Sequence, residues 1–199
     1  MSPERQPDLT RQKLLEVAAD EIYHVGFQAA SIGEILKKAG VSKGALYHHF
    51  PNKQDLGYAV VDEVFAAGYW QEWGPILKAE DPVGAMVQLI RDHHGRMQGD
   101  ALTCGCPINN LAQEMSPLDE GFRVRIQGIF DRWREGLAAA LVRSQEKGIL
   151  RANVQPRPTA AFIVASLQGA ILMAKNAQDR DLFNESVQGV LEYLEGLKA

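Results

Sequence analysis

Residues 42–53 read SKGALYHHFPNK, a run whose side chains suit hydrogen bonding to an anion or to the edge of a base. Lys43 and Tyr47 carry donors for phosphate oxygens or base acceptors. Gly44 leaves its main chain bare, so a phosphate or base edge can come close. At about 100° per residue, Lys43, Gly44, Tyr47 and His48 share one helical face. Ala45, Leu46 and Phe50 fall on the opposite face, with His49 at the margin, and Pro51 stops the helix. Lys53 then opens a further helix, whose free N–H groups favour a phosphate.

These residues need a scaffold, and the preceding segment supplies one. Ser31 and Glu34 have the spacing of a capping box. Ile32, Ile35, Leu36 and Ala39 follow with helical apolar spacing. Gly40 suits the left-handed position that ends a helix, and Ser42 can cap the next one. Two short capped helices joined by a tight turn form a helix-turn-helix, whose second helix enters a DNA major groove.

The stretch G-F-x-x-x-S-I-x-E-I-x-x-x-A-G-V-S-K-G-A-L-Y-H-H-F-x-N-K at residues 26–53 resembles the DNA-binding domain of TetR-family transcriptional regulators. The likeness covers about the first 50 to 60 residues, with a preceding helix over residues 9–24. It implies an all-α homodimer with a DNA-binding domain at residues 1–53 and a ligand-binding and dimerisation domain at 54–199. It further implies a repressor that holds a palindromic operator and is released by a small-molecule inducer. By position in the family motif, Ser31, Tyr47, His48 and Lys53 are phosphate contacts. Lys43 and Gly44, with Tyr47 or His48, are the base-reading candidates.

Charge is distributed to match. The formal net charge is −4, yet residues 26–53 hold four lysines against Glu34, a balance of +3 that leaves −7 for the rest. A basic patch on an acidic body directs one end towards phosphate. No apolar run reaches the roughly 18 to 20 residues that span a bilayer. The polar start MSPERQPDLTRQK lacks a signal core, so a cytoplasmic protein is expected.

Beyond residue 53 the pattern stays helical, giving about nine helices and no strand. A helix from residue 53 is expected to close at Gly74-Pro75, followed by helices near 82–98, 103–115, 118–147, 159–176 and 181–198. The first of the last two carries Ala160, Ala161, Ala165, Gly169, Ala170 and Ala174 among Ile163, Leu167 and Ile171. Periodicity alone leaves an intrachain core and a dimer surface equally open, and the family resemblance favours the dimer.

The middle helices hold the candidates for an effector site, which is typically apolar with a few placed polar groups. They are His93, Met97, Asn109, Asn110, Gln113, Phe130, Trp133, Gln168 and Met173. Both cysteines fall in Thr-Cys-Gly-Cys-Pro at residues 103–107. Cys104 and Cys106 have three readings: small packed side chains at a helix start, a redox or electrophile sensor, or a metal site with His93 and His94. The sensor reading offers an alternative mode of release from DNA. No phosphate loop, nucleophile elbow or HExxH pattern is present, so neither catalysis nor a cofactor is expected.

Overall fold

The computed structural model describes residues 5–94 and 97–199, with side chains described from residue 9 onward except at residues 94–96. Its helices are α1 (Arg5–Val25), α2 (Ile32–Ala39), α3 (Lys43–His49), α4 (Lys53–Ala59), α5 (Ala66–Lys78), α6 (Pro82–His94), α7 (Asp100–Cys104), α8 (Pro107–Met115), α9 (Glu120–Glu146), α10 (Pro156–Ala177) and α11 (Arg180–Glu195). A π-helical turn, Val60–Phe65, joins α4 to α5 without a break. With Lys53–Lys78 counted as one continuous helical stretch and the single turn of α7 set aside, the described residues form the expected nine helices and no strand.

Two compact units are present. The first comprises Met1–Tyr69 with Pro107–Gln127, and the second Trp70–Cys106 with Gly128–Ala199. The first unit is built on α1, whose Leu14, Leu15, Ala18 and Ile22 are buried as the helical spacing predicts. Ile35 and Ala39 of α2, Leu46 of α3 and Leu56 of α4 complete that core. Phe27 lies beneath it, its ring 4.6 Å from that of Phe122. Gly57 makes this stacking possible, because a Cβ there would come within 2.5 Å of Phe27 and 2.7 Å of Phe122.

In the second unit α10 packs along α11 through Ala160, Ile163, Leu167, Ala170 and Ala174 against Phe183, Val187, Val190 and Leu194. Asp179 caps α11 by accepting the amides of Asp181 and Leu182. Trp73 and Trp133 pack with ring centres 4.5 Å apart and their planes tilted by 55°.

Four local expectations are corrected. Ser31 makes no side-chain cap bond. Its intended partner Glu34 instead turns towards Lys37, 3.6 Å away. The helix from Lys53 runs through Gly74 and Pro75 to Lys78. Burial of Trp73 and Ile76 holds that last turn, where proline costs one amide donor but keeps a helical φ. The helix expected at 103–115 divides at Gly105, whose φ of 72° ends α7, and Pro107 starts α8. Finally, α10 begins at Pro156 and, by length and composition alone, suffices to cross a bilayer. It packs one face on α11 and leaves another apolar face exposed.

Candidate DNA-binding surface and effector body

The recognition surface is assembled by caps and burial. Gly40 takes φ 61°, ψ 35°, and the amide of Val41 reaches back to the carbonyl of Leu36 to end α2. Two residues later Ser42 accepts the amide of Ala45 at 3.2 Å and starts α3. Leu46 is fully buried and Phe50 nearly so, which fixes the rotation of α3. Lys43, Gly44, Tyr47 and His48 consequently face outward, and His49 is half-buried. Tyr47 is 42% exposed. The Lys43 ammonium lies 5.8 Å from the centre of its ring, so cation and phenol share one patch. Nothing stands within 4 Å of where a Gly44 Cβ would be. Ser31 is exposed at the start of α2, its hydroxyl not spent on a cap.

Lys53 opens α4, as expected of a phosphate candidate, but its side chain folds back on the chain. Asn52 caps α4 by accepting the Asp55 amide at 2.8 Å. The Lys53 ammonium turns back over the Phe27 ring at 4.7 Å and donates to the Gln28 carbonyl at 3.0 Å. Burial lowers its pKa from the ordinary lysine value, opposed by the negative charge of Glu114. An ammonium has three donors, so two remain after the bond to Gln28.

Several braces in this unit had no signal in the sequence. Glu114 of α8 accepts the amides of Phe27 and Gln28 at 2.9 and 2.8 Å. Tyr58 donates to Asp119 at 2.7 Å. That bond raises the tyrosine's pKa and holds the carboxylate below its ordinary range. Arg125 pairs with Asp62 at 3.0 Å and covers the Tyr58 ring. Arg11 makes a two-pronged pair with Glu63, which lowers the pKa of that carboxyl. Each joins positions more than fifty residues apart.

The nine effector candidates divide between the units. Asn109, Asn110 and Gln113 lie on α8 in the first. The two asparagines are half-buried and Gln113 is exposed, its amide 3.4 Å from the Asn109 carbonyl. The other six belong to the second unit. Trp133 and Met97 are buried there, Phe130 and Gln168 half-buried, and Met173 is 52% exposed. The half-buried His93 directs Nδ1 at the Leu89 carbonyl, 2.9 Å away, and Nε2 at Glu72, 3.1 Å away. A groove of about 710 Å³ runs beside Ala138, Ala139, Val142, Val154, Pro156 and Pro158, and none of the nine lines it.

The cysteines are both half-buried thiols. Cys104 is the last residue of α7 and so does not stand at a helix start, and the sensor reading loses its helix-start argument there. Cys106 directly precedes α8. The side chain of His94, named for the metal alternative, lies outside the described residues.

Comparison with known proteins agrees with this geometry. Residues 14–60 match the profile of bacterial regulatory proteins of the tetR family. Residues 82–187 match the C-terminal domain of LmrA/YxaF-like transcriptional regulators. The regulator AcuR of Cereibacter sphaeroides is 31% identical over 178 residues, 87% of this chain and 80% of that protein. The chain belongs to the TetR family. Another member, the repressor DhaR of Mycobacterium sp. strain GP1, is 28% identical over 92% of this chain and 91% of its own. A TetR regulator from Chloroflexus aurantiacus shares the fold with TM-score 0.85, at 24% identity over 98% of both chains. This TetR-family chain is therefore a transcriptional regulator that binds DNA through its helix-turn-helix.

Proposed function

We propose that this TetR-family repressor binds a palindromic operator as a homodimer and is released by a small-molecule inducer, acting in the cytoplasm on its own cell's DNA. The observation that carries the DNA reading is the outward set Lys43, Gly44, Tyr47 and His48, held by buried Leu46 and Phe50. Lys43 and Gly44, helped by Tyr47 or His48, read base edges. Ser31, Tyr47, His48 and Lys53 hold phosphates. Residues 1–53 form the DNA-binding domain and 54–199 the ligand-binding and dimerisation domain.

Dimerisation is supported by α10. Phe162, Ala165, Gly169, Leu172 and Met173 recur at three- and four-residue spacing, so they form one stripe. Phe162, Leu172 and Met173 are 49, 40 and 52% exposed. Open space surrounds the Gly169 and Gly189 Cβ positions, which allows close helix approach. An exposed apolar stripe of this kind is ordinarily covered by a partner, and a twofold dimer places two recognition helices on half-sites about one DNA turn apart. The effector is assigned to the aromatic body around Trp73 and Trp133, with Met97, Phe130 and Gln168. Its differential affinity for two states of the dimer is what releases DNA. No catalytic role is proposed. The test is a titration of DNA flanking the chain's own gene, in which Tyr47→Ala is expected to abolish specific binding in a folded dimer. Retained affinity at moderate salt refutes the assignment.

A further inference from the structure

Glu114 sits 87 residues from Phe27 in sequence, yet its carboxylate is spent on the turn between α1 and α2. One oxygen takes the Phe27 amide and the other the Gln28 amide, at 2.9 and 2.8 Å. The seat is shaped for it. Gly26 has φ 82°, and a Cβ there would lie 2.9 Å from a Glu114 oxygen. Gln28 is then held from both sides, its N–H by Glu114 and its carbonyl by Lys53 at 3.0 Å. Gln28 stands three residues before Ser31, which directly precedes α2, and Lys53 follows α3 by four residues. The chain entering the helix-turn-helix and the chain leaving it thus meet at Gln28, whose amide Glu114 holds and whose carbonyl Lys53 holds.

We propose that Glu114 is a positioning residue for DNA binding: by clamping the Phe27 and Gln28 amides it sets the Gln28 carbonyl, and through that carbonyl the Lys53 ammonium and the exit of the recognition helix. A carboxylate accepting two amides makes charge-assisted bonds, the stronger class of hydrogen bond. It also supplies the negative charge that offsets the burial of Lys53. Glu114 itself touches no DNA in this account. The inference rests on α3 being the recognition helix.

The test uses the full chain, with Glu114→Ala, Glu114→Gln and each combined with Lys53→Ala. Hydrogen exchange is read at the Phe27 and Gln28 amides, and operator affinity is read in parallel. Glu114→Ala is expected to speed exchange at those two amides and to raise the operator Kd about tenfold, as loss of a charged hydrogen-bond pair does. Glu114→Gln, which keeps one acceptor oxygen, falls between and covers the case in which the alanine variant fails to fold. In the Lys53→Ala background the loss from Glu114→Ala shrinks to about twofold or less, because the two residues act through one element. An unchanged Kd, an unchanged exchange rate or full additivity with Lys53→Ala each overturns the proposal. Failure of the unsubstituted chain to bind would instead count against the recognition-helix reading, and it is seen before any variant is compared.

Discussion

The candidate recognition surface and the aromatic body obey different rules. The surface is local: two caps, one left-handed glycine and two buried anchors within twenty residues orient Lys43, Gly44, Tyr47 and His48 outward. In the body, by contrast, Trp73 meets Trp133 across sixty residues, and the nine effector candidates are shared between two units. Local rules write a surface into short sequence; long-range packing spreads a core over many distant choices.

That contrast is sharpest where a single recognition side chain is removed. Tyr47→Ala is expected to cost at least about a hundredfold in specific operator affinity, about 2.7 kcal/mol, with helical circular dichroism unchanged. A gel-shift titration decides it, and a loss under threefold breaks the claim that this face is the reader.

Next in size is the exposed apolar stripe of α10, proposed above as the dimer surface. Phe162→Glu places a charge at its N-terminal end and is expected to shift sedimentation from dimer to monomer. Operator affinity should fall with it, since a single module reads one half-site. A charged variant that stays dimeric moves the interface elsewhere.

Packing gives a smaller effect. Gly57→Ala pushes a methyl into Phe27 and Phe122, and overpacking of this kind costs roughly 1–3 kcal/mol. Thermal unfolding should register it, and an unchanged midpoint means that the rings move aside freely.

Acid probes the braces. The folded pKa values of Asp119 and Glu63 lie below their ordinary range because of Tyr58 and Arg11 respectively. Each stabilises the fold above the ordinary carboxylate pKa, and that contribution is lost as pH falls through the folded value. Asp119→Asn should therefore flatten the acid limb of stability against pH; an identical limb excludes Asp119 as a contributor.

The smallest change concerns Lys53. With one donor committed to Gln28, Lys53→Ala should weaken binding to all sequences alike and lower the salt slope by about one. A loss confined to the operator contradicts a phosphate role.

How much could be read in advance follows the same division. The inner faces of α1, α2 and α3 were legible because helical period and burial coincide. The Ser31–Glu34 box was not formed, since Glu34 is exposed and pairs with Lys37 on its own helix. Pro75 did not end its helix, because Trp73 and Ile76 are buried on either side. The Glu114 clamp left no trace in local sequence, for an exposed-looking glutamate on a short helix carries no mark of the two amides that it will meet.

The proposed function requires that two copies of α3 read DNA about a twofold axis. Hydroxyl-radical footprinting on the DNA flanking the chain's own gene tests it most directly. The expected pattern is a pair of protected patches related by a dyad and spaced about one helical turn apart, both lost with Tyr47→Ala. A single asymmetric patch, or protection that survives Tyr47→Ala, contradicts it.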